Sequence, residues 1–377
     1  MVEVEHSVDA AATRSGFMGR ARDLAVSPTQ VIAIAVLLVV AFVAVPAFLD
    51  SYWLLVMTGV VIYSIITLGL GVLIGRVGMV SLCQFVLAAY GAWVALRLSY
   101  ATSLPFPVLV IIAGLVTAGI GVLIGLPALR LSGLYLALIT LMAAGALTIL
   151  LTAAQFPNGG GGLFGNSSAG GATSLLPRPS IAKSDVAYYR YCVVAAAVMF
   201  VIAAWHVRRK PGRAWASLRQ SESSAVAAGV NTTLYKLWAF ALASFFAGVA
   251  GALLAAAAGG VSINQFPVSN SVTLLAVVLM GGVYNLAGAI VAALFLRLLP
   301  ALLDNWGVST EILTILFGIG VLQVLLTAPG GIVEQFPRDM ARLGRKLIAP
   351  LRKGSTPAET TQEEEPATLT AVEEPAG

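Results

Sequence analysis

The sequence predicts an all-α, polytopic membrane protein with about ten transmembrane segments. Of its 377 residues, 59% are hydrophobic and 10% are charged, and the mean hydropathy is +0.92. A soluble domain carries about 25% charged residues because water must cover its surface. Lipid is therefore expected to be the main solvent of this chain.

Apolar runs of the right length recur along the whole chain. A helix needs about 20 apolar residues to cross a hydrocarbon core about 30 Å thick. The stretch 271–303 is too long for one upright helix, and its sequence Gly281-Gly282-Val283-Tyr284-Asn285 favours a break. We expect a short segment near 271–282 and a full one near 286–303. The other runs are 31–49, 52–75, 80–99, 106–126, 133–154, 187–207, 236–259 and 310–328.

The basic residues predict the orientation, because lysine and arginine are enriched in cytoplasmic loops. Arg14, Arg20 and Arg22 precede the first run, a basic cluster lies at 208–219, and more basic residues lie at 338–353. Ten crossings bring all of them to the cytoplasmic side, with both termini inside. The net charge of +5 then reflects basic loops rather than a nucleic-acid site.

The same pattern predicts three parts of the chain. Residues 1–29 are a polar cytoplasmic arm, and 30–335 are the transmembrane domain, with a long inner loop at 208–235. Residues 336–377 are a tail, first basic and then acidic, whose composition is typical of disorder.

Few residues are available for metal binding or catalysis. Cys83 and Cys192 lie far apart, and His6 and His206 are the only histidines. The sequence contains no GxxxxGK[ST] phosphate loop. We therefore expect no metal, no resident cofactor and no enzyme activity, and any ATP must be used by another chain.

Ionisable residues are expected to avoid the centre of the membrane. Ion-driven carriers usually keep carboxylates or histidines there, so their absence disfavours such a carrier. The charged residues in or beside the runs are expected at outer ends as interfacial anchors: Asp50, Asp185, Asp304 and Glu311, with Arg97, Arg190 and Arg297 near the outer face.

The inner loop at 208–235 is basic and then helical. Good helix formers extend from Ala214 to Ala228, and Gly229 fits a helix stop. A partner protein could bind this helix. Alternatively, it could lie at the interface as an amphipathic helix, with its arginines on anionic lipid.

A short sequence occurs twice. Gly71-Val-Leu-Ile-Gly75 recurs as Gly121-Val-Leu-Ile-Gly125, each near a predicted cytoplasmic helix end. This recurrence has two alternative explanations. It is either an internal repeat of the kind that transporters use or a chance match in an apolar chain.

Five blocks of sequence follow one another along the chain. They are GRVGMVSLCQ at 75–84 with AYGA at 89–92, LPALRLSGLY at 126–135, the loop from GRAWASLR at 212–219 to KLWAF at 236–240, AGVAGA at 247–252 with the pair Gly281-Gly282, and APGG at 328–331. In this order they resemble the permease subunits of branched-chain amino acid ABC importers, the LivH/LivM group. The chain departs from the family pattern at several positions. Leu134 stands where an acid is usual, and another acid is common near Gly145; Ala289 stands where a proline is common, and Cys83 and Tyr284 stand where glycines are usual.

The resemblance implies a fold like that of cobalamin-type importers and a location in the bacterial inner membrane. It also implies partners of three kinds: a second permease, identical or paralogous, two cytosolic ABC ATPases that use ATP, and an extracytoplasmic solute-binding protein. The loop 208–235 would couple to the ATPase through Arg213, Arg219, Glu222, Ala225, Gly229 and Lys236.

Polar residues within the runs are candidates to line the substrate path, although hydrogen bonds between helices would also explain them. The resemblance implies branched-chain amino acids as cargo, but related permeases serve urea, short amides and aromatic acids. A stand-alone secondary carrier or channel for a small apolar solute, and a membrane enzyme or scaffold, are the competing functions. The path candidates are Ser81, Gln84, Tyr135, Thr140 and Gln323.

Overall fold

The computed structural model describes residues 28–128, 133–153, 176–259 and 265–307, together with 312, 315, 318–319 and 331–333. The chain divides into two compact units, residues 1–335 and 336–377, and every described residue belongs to the first. The predicted arm and tail lie outside the described residues.

The described residues form helices and short connections, without strands. Two π-helical segments occur: Leu73–Val77 continues α2, and Leu294–Leu298 joins α11 to α12. The helices are α1 Pro28–Phe48, α2 Ser51–Val72, α3 Gln84–Ala101, α4 Phe106–Ala128, α5 Leu134–Ala153, α6 Asp185–Arg208, α7 Lys210–Gln220, α8 Glu222–Ala227, α9 Thr232–Ala258, α10 Ser269–Gly281, α11 Leu286–Ala293 and α12 Leu299–Asn305.

Six helical stretches in the described part are long and apolar enough to cross a membrane. This confirms an all-helical, multi-pass membrane protein. The run 310–328 lies mostly outside the described residues, so the count of ten stays a prediction. The six are Ser51–Val77, Phe106–Pro127, Tyr135–Ala153, Asp185–Arg208, Thr232–Ala258 and Leu286–Asn305.

The predicted break within 271–303 is confirmed. α10 ends at Gly281, and Gly282 has a φ of +108°, a backbone conformation that glycine adopts without strain. Asn285 then starts α11, because its side-chain oxygen accepts a hydrogen bond from the Ala287 N–H at 2.9 Å. The non-helical residues between α10 and α11 are hereafter called the 282–285 break.

Helix α9 lies at the centre of the bundle and packs against α2, α3 and α4. Glycines allow its backbone to approach α3 closely. A Cβ on Gly251 would overlap the backbone of Ala88, and a Cβ on Gly91 would overlap that of Gly248. Lipid gives helices little reason to associate except close fit, and small residues provide that fit.

The repeated GVLIG sequence does not produce equivalent contacts. A Cβ on Gly71 would meet nothing within 4 Å, whereas one on Gly121 would overlap the Ser244 side chain. Gly75 lies against Val283 of the 282–285 break. These contacts give no support to an internal repeat.

Candidate functional site

The inner loop forms two helices rather than the single helix predicted from Ala214 to Ala228. Helix α7 begins earlier, at Lys210, and ends at Gln220. Ser221 interrupts the pair: its backbone is extended, and its hydroxyl accepts a hydrogen bond from the Ser224 N–H at 3.3 Å. Such a cap starts the new helix α8, so the predicted continuous helix was wrong.

The apolar face of this helix pair is buried against the rest of the chain. Ala214, Trp215, Leu218 and Ala225 are all buried. The Trp215 indole N–H donates a hydrogen bond to the backbone oxygen of Tyr235 at 2.9 Å. An interfacial amphipathic helix would need this face for lipid, so the burial disfavours that alternative.

Arg219 connects helix α7 to two other elements. Its Nη1 donates to the backbone oxygens of Ile74, at 3.3 Å, and of Gly75, in the first π segment. Its Nη2 donates to the Tyr284 hydroxyl at 2.7 Å, and its Cζ lies 4.5 Å from the centroid of that ring. Carbonyls at a helix C-terminus lack partners within the helix and favour a cation, so Arg219 caps the helix that ends at Val77.

The first π segment also contacts the 282–285 break directly. Arg76 is 4% exposed, and its Nη2 donates to the backbone oxygen of Tyr284 at 2.8 Å. A Cβ on Gly75 would lie 2.7 Å from the carbonyl carbon of Val283, so only glycine fits there without a shift. We call these five residues, Gly75, Arg76, Arg219, Val283 and Tyr284, the loop joint.

Some of the other predicted coupling residues are buried or paired within the loop, and others are exposed on its surface. Ala225 is fully buried, and Lys236 makes a salt bridge with Glu222, with Nζ and Oε1 2.6 Å apart. Arg213 and Glu222 are exposed. Gly229, also exposed, has a φ of +77° and ends the loop helix as predicted.

The contact of Arg219 with Tyr284, and that of Arg76 with the Tyr284 backbone, were not predicted from the sequence. In the sequence, Tyr284 stands out only as part of a predicted helix break and as a departure from the family pattern. The signal that could have found the contact is topological, because the end of the run 52–75, the 282–285 break and the loop are all predicted on the cytoplasmic side.

Three of the five path candidates come together where α3 begins. Residues 78–83 are not helical, and the Leu82 N–H donates to the Thr140 hydroxyl at 2.9 Å. The Ser81 hydroxyl lies 3.2 Å from the Cys83 sulfur. Thr140 is six residues past the start of α5, or about 9 Å along its axis, so α3 begins inside the predicted membrane layer.

Gln84 differs from the other two residues of this group. It is completely buried, yet neither its amide nitrogen nor its amide oxygen makes a hydrogen bond with a described residue. Ser81 and Thr140 have polar contacts that a structural role explains, and Gln84 has none.

Tyr135 is 71% exposed and apart from this group, and Gln323 lies outside the described residues. Nor do the described residues contain a group of three or more metal-ligating side chains.

A bundle of apolar helices, in which a broken helix is fixed to a short helix pair by Arg219, fits a multi-pass membrane protein. The family model described as the permease component of branched-chain amino acid transport systems matches residues 52–325, and the chain belongs to this family. It is therefore an ABC-type transport permease and not an enzyme.

Two relatives support this assignment. The chain is 32% identical over 293 residues to the high-affinity branched-chain amino acid transport system permease protein LivM of Salmonella typhimurium, covering 72% of this chain and 68% of the relative. It is 30% identical over 325 residues to LivM of Escherichia coli, covering 78% and 73%. No solved structure matches the chain significantly.

Proposed function

We propose that this chain is the membrane-spanning permease subunit of an ABC importer for branched-chain amino acids or a related small solute. Both relatives are named as branched-chain amino acid permeases. The subunit pairs with a second permease in the bacterial inner membrane, two cytosolic ATPases drive it, and an external binding protein delivers the solute. We also propose ten membrane segments, with both termini in the cytoplasm, and a fold like that of cobalamin importers. The transmembrane domain covers residues 30–335 and lies between a polar arm and a disordered tail.

The observation that carries the proposal is the position of Arg219. Its side chain joins the cytoplasmic loop to the end of one membrane helix and to the 282–285 break of another. A movement imposed on α7 and α8 is therefore passed to both helices. A loop without a cytoplasmic partner would not need such a connection.

The outer side of the loop provides a surface for the ATPase. Arg213 and Glu222 are exposed, and Val226 is 58% exposed although it is apolar. Ala225, fully buried beside it, fixes α8 on the bundle. We propose that Arg213, Glu222 and Gly229 contact the ATPase, while Arg219, Ala225 and Lys236 hold the loop in the position that transmits the movement.

The substrate path includes the intramembrane start of α3. A path through a membrane needs polar groups that are free to bind a passing solute. Gln84 has such a group. Thr140 fixes the backbone beside it by accepting a hydrogen bond from the Leu82 N–H, and the Ser81 hydroxyl contacts the Cys83 sulfur. Tyr135 and Gln323 stay predictions as further residues of the path.

Reconstitution in proteoliposomes tests the function. The chain is combined with its co-purifying ATPase and binding protein, and uptake of radiolabelled leucine, then of urea and benzoate, is measured with and without each component. We expect uptake that requires ATP and all components. Uptake by this chain alone along an ion gradient would contradict the proposal and indicate a stand-alone carrier.

A further inference from the structure

An arginine lies close to the middle of the last described membrane helix. Arg297 belongs to the second π segment, eleven residues after Leu286 and eight residues before Asn305. At 1.5 Å per residue it lies about 16 Å from one end of this helix and about 12 Å from the other. Arg297 is therefore deeper than expected from the sequence, which suggested a position near the outer face.

The side chain of Arg297 extends along the middle of helix α2. Its Cζ lies 5.7 Å from the ring centroid of Tyr63. Gly59 provides the space, because a Cβ there would be 2.9 Å from the Arg297 Nε. Tyr63 is twelve residues from the start of α2 at Ser51, or about 18 Å. The guanidinium does not reach out to the headgroups as an anchoring arginine does.

This charge is exposed on the surface of the chain, and the described residues offer it no counter-ion. The acidic side chains in the described part of the chain lie at helix ends or in the cytoplasmic loop: Asp50, Asp185, Glu222 and Asp304. A charged side chain at this depth is costly if it faces lipid, and such residues almost always face a bundle interior or a water-filled path. Arg297 thus indicates which face of the chain is turned away from lipid.

The local structure is built to hold the guanidinium in place. π-Helical turns within α-helices occur frequently at functional sites, and one such turn carries Arg297. Phe85 stacks on Tyr63 with ring centroids 6.0 Å apart, and Phe266 contacts Phe85 at 5.7 Å. Phe85 therefore packs directly on the Tyr63 ring, and Phe266 in turn packs on Phe85, which restricts the movement of the ring beside the guanidinium.

We propose that Arg297 and Tyr63 form an anion-binding subsite in the substrate path, which takes the carboxylate of the transported amino acid. The inference rests on the proposed function. A guanidinium binds a carboxylate through two parallel N–H···O bonds. The Tyr63 hydroxyl, which makes no hydrogen bond to a described residue, provides a further donor. Gly59 positions the site, because a larger residue there displaces the guanidinium.

The first experiment measures binding and does not require transport. The full chain is placed in nanodiscs of phosphatidylcholine, which contain no anionic lipid, and saturation-transfer NMR is recorded with 4-methylpentanoate or 3-methylbutylamine. These probes carry the branched side chain with only a carboxylate or only an amine. We expect a 4-methylpentanoate signal that falls at least fivefold in Arg297→Gln and partly in Tyr63→Phe. Absence of that signal in the wild type, or an unchanged signal in Arg297→Gln, would overturn the subsite.

The second experiment measures transport in the reconstituted importer. We expect Arg297→Gln to lower leucine uptake at least tenfold, with ATP hydrolysis within twofold of the wild type, and Arg297→Lys to restore part of the uptake. Arg190→Gln is the matched control, because Arg190 is also exposed and stacks on an aromatic ring, Phe42 at 5.5 Å, but lies near the start of α6. It should transport normally.

The outcomes separate the subsite from the function. If the wild type shows no ATP-driven uptake, the proposed function fails, and the NMR measurement still decides whether a carboxylate binds. If Arg297→Gln separates the two permeases on size-exclusion chromatography, Arg297 pairs with an acid of the second subunit, and the carboxylate subsite is overturned.

Discussion

Polar groups are satisfied at the loop joint and left unsatisfied within the predicted membrane layer. At the joint, Arg219 donates to two backbone oxygens and to Tyr284, and Arg76 donates to the Tyr284 backbone. Within the predicted membrane layer, the Gln84 amide and the Arg297 guanidinium make no hydrogen bond with described residues. Satisfied polar groups fix a geometry, whereas unsatisfied ones are costly and are kept where a ligand or partner completes them. We therefore propose that the first region transmits movement and that the second binds the solute.

Enlarging Gly75 should have the largest effect on stability. Gly75→Ala places a methyl group 2.7 Å from the Val283 carbonyl carbon, and such overpacking costs roughly 1–3 kcal/mol of unfolding free energy. The measurement is chemical unfolding in detergent. Gly71→Ala is the control from the same motif, because a Cβ there meets nothing within 4 Å. It should be neutral or stabilising by up to about 1 kcal/mol, since alanine favours helix over glycine. Equal effects of the two changes would contradict the tight contact.

Replacing Gln84 should separate stability from transport. Gln84→Met keeps the length of the side chain and removes a buried amide without described partners. An unsatisfied buried polar group costs about 1–3 kcal/mol, so the variant should unfold at higher denaturant concentration while leucine uptake falls severalfold. The comparison is Thr140→Val, which loses the hydrogen bond from Leu82 and should be destabilised. A destabilised Gln84→Met variant would show that the amide has a structural role.

Removing the hydroxyl of Tyr284 should have a moderate effect on the coupling of transport to ATP hydrolysis. Tyr284→Phe removes the hydrogen bond of 2.7 Å from Arg219 and keeps the aromatic ring below the guanidinium. A hydrogen bond to a charged group contributes about 1.5–3 kcal/mol, and the retained ring offsets part of this loss. We expect leucine uptake per ATP hydrolysed to fall by about two- to fivefold. No change in that ratio would mean that Arg219 transmits movement through the backbone oxygens alone.

The ion pair between Glu222 and Lys236 should have the smallest effect on stability. Glu222 is 56% exposed, and exposed salt bridges contribute roughly 0–1 kcal/mol. Glu222→Gln should therefore change the unfolding free energy by less than about 1 kcal/mol. If ATPase binding nevertheless weakens in pull-down assays, Glu222 contacts the ATPase as proposed. Severe destabilisation of the Glu222→Gln variant would instead mean that Glu222 holds the loop in its folded position.

The local sequence predicted the helices well, because apolar length and glycine-rich breaks are encoded within short segments. The 282–285 break followed from two glycines and Asn285. The interruption at Ser221 was missed, because good helix formers surround it and only the local cap reveals it. The partners of Arg219 lie more than 60 residues away along the chain, so only the packing of the bundle brings them together.

Arg219 is proposed to couple the loop 208–235 to the membrane helices. Leucine uptake and ATP hydrolysis should be measured in the same proteoliposomes for the wild type, Arg219→Gln and the control Arg208→Gln, which changes an exposed arginine at the end of α6. We predict that Arg219→Gln keeps ATP hydrolysis within twofold of the wild type but transports at least tenfold less leucine per ATP, while Arg208→Gln behaves as wild type. An unchanged ratio in Arg219→Gln, at equal protein levels, would contradict the account.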